Sequence, residues 1–391
     1  MRRKLPYLVC LALLPLCGCD VAVEHYPAND VYAMVVSSSR STPTERAAED
    51  VAEATELWFG TPNEPRWPDG LGLVDPNQVK RAAGLVSSDI QNQHFGLFNE
   101  HCVRCHGVSG GGDGPASQLQ NPYPRDFRAG VFKWKSTERS AKPTRADLMA
   151  TIRNGIPGTG MPAFAQMSDE DADAMVDYLI YLSVRGEFER RLIAAAVDEL
   201  DYSEERPDAL ARLNEPMGED AQAIAEEVLD QIVQSWSEAE ANVIAVGSET
   251  PNDEASVARG EKLFHGQVAN CVGCHGQGGN AESVTTLDYD DWTKEYTTRI
   301  AITPTDRESL APFRAAGAQR PRQIYPRTLT AGVFRGGGDS ETLYRRLASG
   351  IAGTPMPAVM ISDEGSATGL TPEQVWDLVH YVQSLAEVGR D

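Results

Sequence analysis

The sequence lacks the marks of several common protein classes. No run of alternating β-branched residues stands out in its 391 residues, and no nucleophile–base pair, phosphate-binding loop or carboxylate dyad is visible. The plentiful helix formers Ala, Glu and Leu instead favour an all-α fold. Hydrophobic residues make up 41% of the chain, which is enough to build cores and excludes a disordered protein. The length predicts two or three domains.

Basic residues are scarce. The 35 Lys and Arg residues stand against 57 Asp and Glu residues, which gives a net charge of −22. So acidic a chain repels nucleic acid, and we expect no nucleic-acid partner. The same field attracts basic surfaces, which predicts partner proteins with basic docking surfaces. The acidic excess is concentrated in residues 186–250, which hold 17 acidic and 4 basic side chains.

The N-terminal apolar run is too short to span a bilayer. It covers 12 residues from Leu5 to Leu16, whereas a spanning helix needs about 20. Arg2, Arg3 and Lys4 precede this run, and the small residue Gly18 follows it. This order predicts a signal peptide over residues 1–18 and therefore an exported protein.

A possible lipid anchor follows directly. Leu16-Cys17-Gly18-Cys19 resembles a bacterial lipobox. In this interpretation Cys19 is lipidated, becomes the first residue of the mature chain, and anchors it to the periplasmic side of a bacterial membrane. A plain cleaved signal without a lipid is the alternative.

No cysteine is left over for a disulfide. Of the seven cysteines, Cys10 and Cys17 leave with the signal peptide and Cys19 takes the lipid. The other four lie in two C-x-x-C-H runs, which comprise Cys102, Cys105 and His106, and Cys271, Cys274 and His275. These runs therefore have a chemical role other than disulfide formation.

The chain contains the same four elements twice, in the same order. Each C-x-x-C-H run is followed by a P-R-x-x-x-A-G-V-F-[KR] run, at 124–133 and 326–335. A Gly-rich M-P-A loop around Met161 or Met356 comes next, and an apolar helical pattern closes each copy. This order predicts two copies of one domain. The predicted division is a signal peptide at 1–18, an N-terminal extension at 19–90, a first domain at 91–185, an acidic helical connector at 186–253 and a second domain at 254–391.

The two copies differ in the spacing between the histidine and the methionine. His106 and Met161 are 55 positions apart, whereas His275 and Met356 are 81 apart. The extra residues lie around 287–319, where we expect surface loops.

Helical patterns also occur outside the two copies. They predict one helix in the N-terminal extension, from Thr44 to Phe59 and ended by Gly60, and one in the connector, from Ala221 to Trp236. We expect the connector to be interrupted near Pro207 and Pro216, because proline disrupts a helix interior.

C-x-x-C-H is the attachment signature of c-type haem. The two thiols lie one helical turn apart and can reach the two vinyl groups on one edge of a porphyrin, while the following imidazole can bind its iron. The alternatives are a zinc knuckle, two of which could combine into one four-thiolate site, and a redox dithiol. Neither alternative explains the downstream methionines.

Met161 and Met356 are the candidates for the second axial ligand. A loop rich in Gly and Pro holds an extended shape and can present a thioether to the iron. Most methionines are core residues, which is the alternative interpretation. Ligation by His and Met fills both axial positions and raises the reduction potential.

On these motifs, each copy resembles a class I cytochrome c domain, over residues 91–185 and 256–388. The resemblance implies a first helix that ends at the haem motif, a methionine loop on the far side, and a last helix that crosses the first. Gly260 and Phe264 are similar to the small and aromatic residues of the first helix. In the first copy Phe98 fits, whereas His94 stands where the small residue is expected.

The resemblance also implies supporting residues. In many family members a proline carbonyl accepts a hydrogen bond from the proximal imidazole, and Pro115 resembles that proline. No equivalent follows Gly279, which predicts two haems of unequal potential. Arg125 and Arg327 are candidates to pair with haem propionates, with ordinary surface arginines as the alternative.

The predicted function is transfer of single electrons by a cytochrome with two haem c groups, between periplasmic or membrane-bound redox partners. No residue is assigned a catalytic role. A dihaem peroxidase is the enzymatic alternative, and it would need one haem with an open position. A haem-based sensor and a cytochrome subunit of a membrane respiratory oxidoreductase complex are further alternatives. The other histidines are predicted to be surface or packing residues: His25, His94, His101, His265 and His380.

Overall fold

The computed structural model describes residues 25–200, 202, 218–281, 288–362 and 368–388. Helix accounts for 51% of it and strand for 4%, which confirms the all-α class. The predicted signal peptide, the lipidation site Cys19 and the connector prolines Pro207 and Pro216 lie outside the described residues.

The first half of the chain, through the connector, contains eight of the described helices and one short hairpin. The helices are α1 (Asp30–Arg40), α2 (Glu45–Phe59), α3 (Pro76–Ala82), α4 (Leu97–His101), α5 (Val103–His106), α6 (Arg145–Asn154), α7 (Asp169–Asp198) and α8 (Glu219–Ser237). The hairpin pairs β1 (Ser87–Ser88) with β2 (His94–Phe95) in antiparallel register.

The second half repeats the central part of this order. Its helices are α9 (Glu254–His265), α10 (Val272–His275), α11 (Asp291–Thr297), α12 (Arg307–Ala315), α13 (Ser340–Ser349) and α14 (Pro372–Val388). A second antiparallel hairpin pairs β3 (Asp288–Tyr289) with β4 (Gln323–Ile324).

The two helices predicted outside the copies are confirmed. Helix α2 begins after Thr44 and ends before Gly60, which has φ 73° and so terminates the helix in a conformation that suits glycine. Helix α8 covers the predicted stretch of the connector and buries Leu229, Ile232 and Trp236. Both helices contribute to the same hydrophobic core.

That core crosses two predicted boundaries, at 90/91 and at 185/186. Helix α7 runs without a break through the boundary at 185/186, and its second half buries Phe188, Leu192 and Ile193. Phe188 contacts Phe59 of the extension, with ring centroids 5.3 Å apart. The extension, the first domain and the connector helix thus share one core, because α7 continues as a buried helix past the predicted end of the first domain.

The first copy departs from the expected helix crossing. Its opening helix, α4, has only five residues, because Gly96 adopts a left-handed conformation (φ 77°) at the helix start and β2 precedes it. His94 therefore lies in a strand and not in a helix. Helix α3 packs against α7 and is tied to it by Arg81, whose Nη2 donates to Asp171.

The second copy has the crossing that the resemblance implies. Helices α9 and α14 pack against each other where Gly260 meets the backbone of Asp377. A Cβ atom at Gly260 would lie 2.0 Å from the Asp377 carbonyl oxygen, so only glycine permits this approach. Phe264, one turn further along, is buried beside Tyr381.

The extra segment of the second copy is folded, so the prediction of surface loops is wrong. Helices α11 and α12 bury Tyr296, Leu310 and Phe313 against Val31 and Val35 of α1. These apolar side chains form a separate small core between the N-terminal extension and the second domain. This core is hard to predict from the polar composition of the segment, because only one face of each short helix is apolar.

Within the described part of the chain, no helix has both the length and the apolar character needed to cross a bilayer.

Candidate haem-binding sites

The two C-x-x-C-H runs adopt the same single helical turn. The backbone N–H of His106 donates to the Cys102 carbonyl at 2.9 Å, and that of His275 donates to the Cys271 carbonyl at 2.8 Å. Gly107 and Gly276 end these turns with φ values of 72° and 74°. In each copy the turn holds two thiols and one imidazole in one compact group.

The acceptor of the proximal imidazole is the same in both copies. Nδ1 of His106 donates to the Arg125 carbonyl and Nδ1 of His275 to the Arg327 carbonyl, both at 3.1 Å. A carbonyl can only accept, so Nδ1 carries the proton and Nε2 is left with a lone pair for a metal.

The predicted role of Pro115 is therefore wrong. In each copy the P-R-x-x-x-A-G-V-F run passes beside the proximal imidazole instead. The position of this run is fixed by a hydrogen bond from the Phe127 N–H to the Gly110 carbonyl in the first copy, and from the Leu329 N–H to the Gly279 carbonyl in the second. The repeated Pro-Arg pair thus places a carbonyl, a role that the sequence pattern left open. The absence of a second proline no longer predicts unequal potentials.

Burial keeps these groups uncharged. It lowers the pKa of His106 to about 4, against a smaller opposing effect of the Arg125 carbonyl, and it lowers the pKa of His275. Burial also raises the pKa of the Cys102 thiol to about 12 and that of Cys271 to about 11. A neutral imidazole is the form that binds iron.

The two methionine loops have matching backbone hydrogen bonds. The N–H of Ile156 donates to the Met161 carbonyl at 3.1 Å, and the N–H of Ile351 donates to the Met356 carbonyl at 3.2 Å. In each loop a threonine hydroxyl also accepts the methionine N–H, at 3.1 Å for Met161 and 3.2 Å for Met356. The loops are thus fixed by the chain itself and present two equivalent thioethers.

One cavity contains both sites. It has a volume of about 1080 Å³ and is lined by both pairs of cysteines, both proximal histidines, Met161 and Met356. Its walls are mostly apolar and come from the two copies, including Phe127 and Leu179 of the first and Leu329 and Val382 of the second. The two sites thus open towards one another.

Two family models match these two regions. The model for subunit III of cbb3-type cytochrome c oxidase matches residues 92–179, and the model for cytochrome c matches residues 257–386. The chain holds two class I cytochrome c domains in tandem. The tandem cytochrome is accordingly an electron-transfer haem protein, and its domains bind haem c.

The chain was also compared with curated proteins and with solved structures. A search of curated proteins finds no significant match. A solved chain of the reducing HAO-like protein complex of Kuenenia stuttgartiensis shares 23% identity with the tandem cytochrome, with a TM-score of 0.47. That match covers 74% of this chain and 94% of the other.

The cavity wall of the tandem cytochrome fits an anionic, largely apolar group. Nε of Arg327 and Nε of Arg335 are buried without a hydrogen-bond partner, and both arginines line the cavity. Buried N–H groups of this kind are stabilised by carboxylates such as haem propionates. Burial also lowers the pKa of Arg346, on the same wall, to about 10, despite the opposing charge of Asp339.

The first copy differs at the equivalent arginine. Arg125 is already paired with Asp291, which also accepts from Lys133 at 3.1 Å. Burial alone would raise the pKa of Asp291, but the charges of Arg125 and Lys133 hold it well below its usual range. Sequence reasoning missed Asp291 because it lies in the segment expected to be loops.

The zinc alternative finds no support in the geometry. Among the described residues, which include all four motif cysteines, no group of three or more His, Cys, Asp or Glu side chains could hold a metal ion. The cysteines of one motif are thus not gathered with those of the other, as a shared four-thiolate site would require.

Proposed function

We propose that the protein binds two haem c groups and relays single electrons between periplasmic or membrane-bound redox partner proteins. In each domain the two motif cysteines would form the thioethers to haem. His106 and Met161 would bind the iron of the first haem, and His275 and Met356 that of the second. The observation that carries this proposal is the single cavity that contains two complete Cys-Cys-His-Met sets.

The chain supplies position and electrostatics. Bound haem provides the one-electron Fe(III)/Fe(II) couple. Hydrogen bonds from Nδ1 to backbone carbonyls orient His106 and His275, and the threonine-braced loops hold the two thioethers. The apolar wall excludes water, which favours a high reduction potential. Arg327 and Arg335 provide buried donors for propionates, whereas Arg125 would share its charge between a propionate and Asp291.

A carrier fits these sites better than a peroxidase does. Peroxide chemistry needs an open or displaceable axial position, and each domain has a methionine on the cavity wall to fill it. The acidic chain, with a net charge of −22, would dock on basic partner surfaces. Export and a lipid at Cys19 would keep it at the periplasmic face of a membrane.

A subunit role in a membrane respiratory complex is the second candidate. The observation that favours it is the match of residues 92–179 to a model named for subunit III of a cbb3-type oxidase. Purification of the protein in a stable assembly, without electron exchange with soluble carriers, would select this candidate.

The test is a redox titration of the purified protein followed by visible spectroscopy, together with its intact mass. We expect the mass of two covalent haems and two low-spin centres. Met161→Ala and Met356→Ala should each lower one midpoint potential by a sizeable fraction of the about 0.8 V that axial ligands span.

Met34→Ala is the matched control, because Met34 lies on α1 and does not line the cavity. It should leave both potentials unchanged. A single haem mass, or a high-spin ferric haem with rapid peroxide turnover in the unaltered protein, would contradict the carrier proposal.

A further inference from the structure

Each methionine loop is in contact with the opposite domain. Gly158 of the first loop lies against the second domain: a Cβ atom there would be 3.1 Å from Val333 and 3.2 Å from Arg327. Gly353, at the same place in the second loop, lies against Asp291 of its own domain, with 3.1 Å from a Cβ atom to a carboxylate oxygen, and Asp291 is in turn paired with Arg125 of the first domain. Both loops therefore lie where the two domains meet.

Arg139 of the first domain forms hydrogen bonds to the second methionine loop. Nη1 of Arg139 donates to the Met356 carbonyl at 2.6 Å, and Nη2 donates to the Thr354 carbonyl at 2.7 Å. The planar guanidinium thus spans two carbonyls of the ligand-bearing loop. Charge-assisted hydrogen bonds of this kind are roughly twice as strong as neutral ones.

Arg139 is itself held in place. It lies in a segment that is longer in the first copy: Lys133 and Arg145 are 12 positions apart, whereas the equivalent Arg335 and Ser340 are 5 apart. Lys135 donates to the Glu138 and Arg139 carbonyls. The Glu138 N–H also donates to the Asn242 carbonyl of the connector at 3.0 Å.

Arg335 of the second domain forms a hydrogen bond to the first methionine loop. Its Nη2 donates to the Gly158 carbonyl at 3.3 Å. Arg335 belongs to the same P-R-x-x-x-A-G-V-F-R run as Val333 and Arg327, so one short segment supplies all three contacts. The equivalent residues of the first domain, Arg125 and Lys133, reach the second loop through Asp291.

We infer that Arg139 and Arg335 are positioning residues for the methionine ligand of the opposite domain. Arg139 fixes the Met356 loop and Arg335 fixes the Met161 loop, so each domain stabilises the axial ligation of the other. This inference rests on the His/Met ligation proposed above. The grip is unequal, since Arg139 makes two short hydrogen bonds and Arg335 makes one longer bond.

Competition with imidazole measures how firmly each methionine is held. The ferric full-length protein is titrated with imidazole, and loss of each methionine–iron absorption band is followed. Met356→Ala and Met161→Ala assign the two bands to the two haems. Arg139→Gln should increase imidazole affinity at the second haem by about tenfold or more, because two charge-assisted bonds are lost.

Arg335→Gln should increase imidazole affinity at the first haem by about threefold, because one longer bond is lost. Arg139→Lys, which keeps the charge but not the two-pronged geometry, should give an intermediate value at the second haem. Arg307→Gln is the control for loss of charge, since Arg307 is exposed on α12. It should change neither haem.

The outcomes separate the two proposals. Absence of methionine bands from the unaltered protein refutes His/Met ligation itself. Methionine bands that respond to Met161→Ala and Met356→Ala but not to the arginine variants overturn only the cross-domain positioning. An equal rise in imidazole affinity at both haems in Arg139→Gln also overturns it, because that result would reflect general loosening between the domains.

Discussion

The two cytochrome domains have nearly identical ligand-bearing turns in very different surroundings. The His-to-carbonyl bonds are both 3.1 Å, and the bonds that close the methionine loops are 3.1 and 3.2 Å. The first domain, however, shares its core with the N-terminal extension and the connector, whereas the second has a smaller core of its own. The Cys-Cys-His turns and the methionine loops are thus fixed locally, whereas stability and docking come from elements outside them.

The largest expected effect tests the helix crossing that only the second domain has in full. Gly260→Ala should destabilise that domain by about 3 kcal/mol or more, because the new Cβ would overlap the Asp377 carbonyl. Thermal unfolding followed by circular dichroism, with absorption bands for each haem, would show selective loss of the second site. Gly278→Ala is the control, since no atom lies within 4 Å of a Cβ there. Equal loss of both sites would show that the domains do not differ in this way.

The next effect concerns the inserted helices, which the first domain lacks. Leu310→Ala should cost about 2 kcal/mol, because it leaves a cavity in the small core shared with α1. Limited proteolysis should then cut near residues 291–315 while the first haem spectrum is unchanged. Leu119→Ala, at a site that is 86% exposed, should behave like the unaltered protein. Cleavage that is equally slow in both variants would mean that the insertion does not depend on this core.

A smaller, pH-dependent effect is expected at the start of the same insertion. Burial raises the pKa of Asp290 to about 6, although it accepts a hydrogen bond from the Thr293 N–H. The folded state therefore binds a proton more tightly than the unfolded state, and this stabilisation, present below pH 4, is lost as pH rises to 6.

Asp290→Asn removes this titration and keeps the helix cap. Between pH 4 and 6.5, the free energy of unfolding of the variant should rise by on the order of 1 kcal/mol relative to that of the unaltered protein. Chemical unfolding at several pH values measures this difference. A constant difference over that range would refute the buried titration.

The smallest effect is expected at Pro115, in the first domain only. Because His106 donates to the Arg125 carbonyl, Pro115→Ala should leave the midpoint potential of the first haem unchanged. Redox titration of this variant beside the unaltered protein would show whether the two sites share the same second-sphere acceptor. A lowered potential at the first haem alone would restore the inequality that the sequence suggested.

Local chemistry made much of the site predictable. The C-x-x-C-H turns, the methionine loops, helix α2 and helix α8 all follow from short-range spacing, because a helical turn and a glycine cap are set by neighbouring residues. The elements that failed were those decided at a distance. The α7 boundary, the fold of the insertion and the acceptor of His106 each depend on residues 19 or more positions away along the chain.

The two repeated Cys-Cys-His-Met sets, the all-α class and the acidic charge could all be read from the sequence alone. The common cavity of the two sites, and the hydrogen bonds of Arg139 and Arg335 to the methionine loop of the opposite domain, follow only from the packing of the two domains. An arginine that binds backbone carbonyls leaves no local pattern in the sequence. Its partners are backbone carbonyls, which every residue has, so the contact is specified by the packing of one domain on the other and leaves no motif to read.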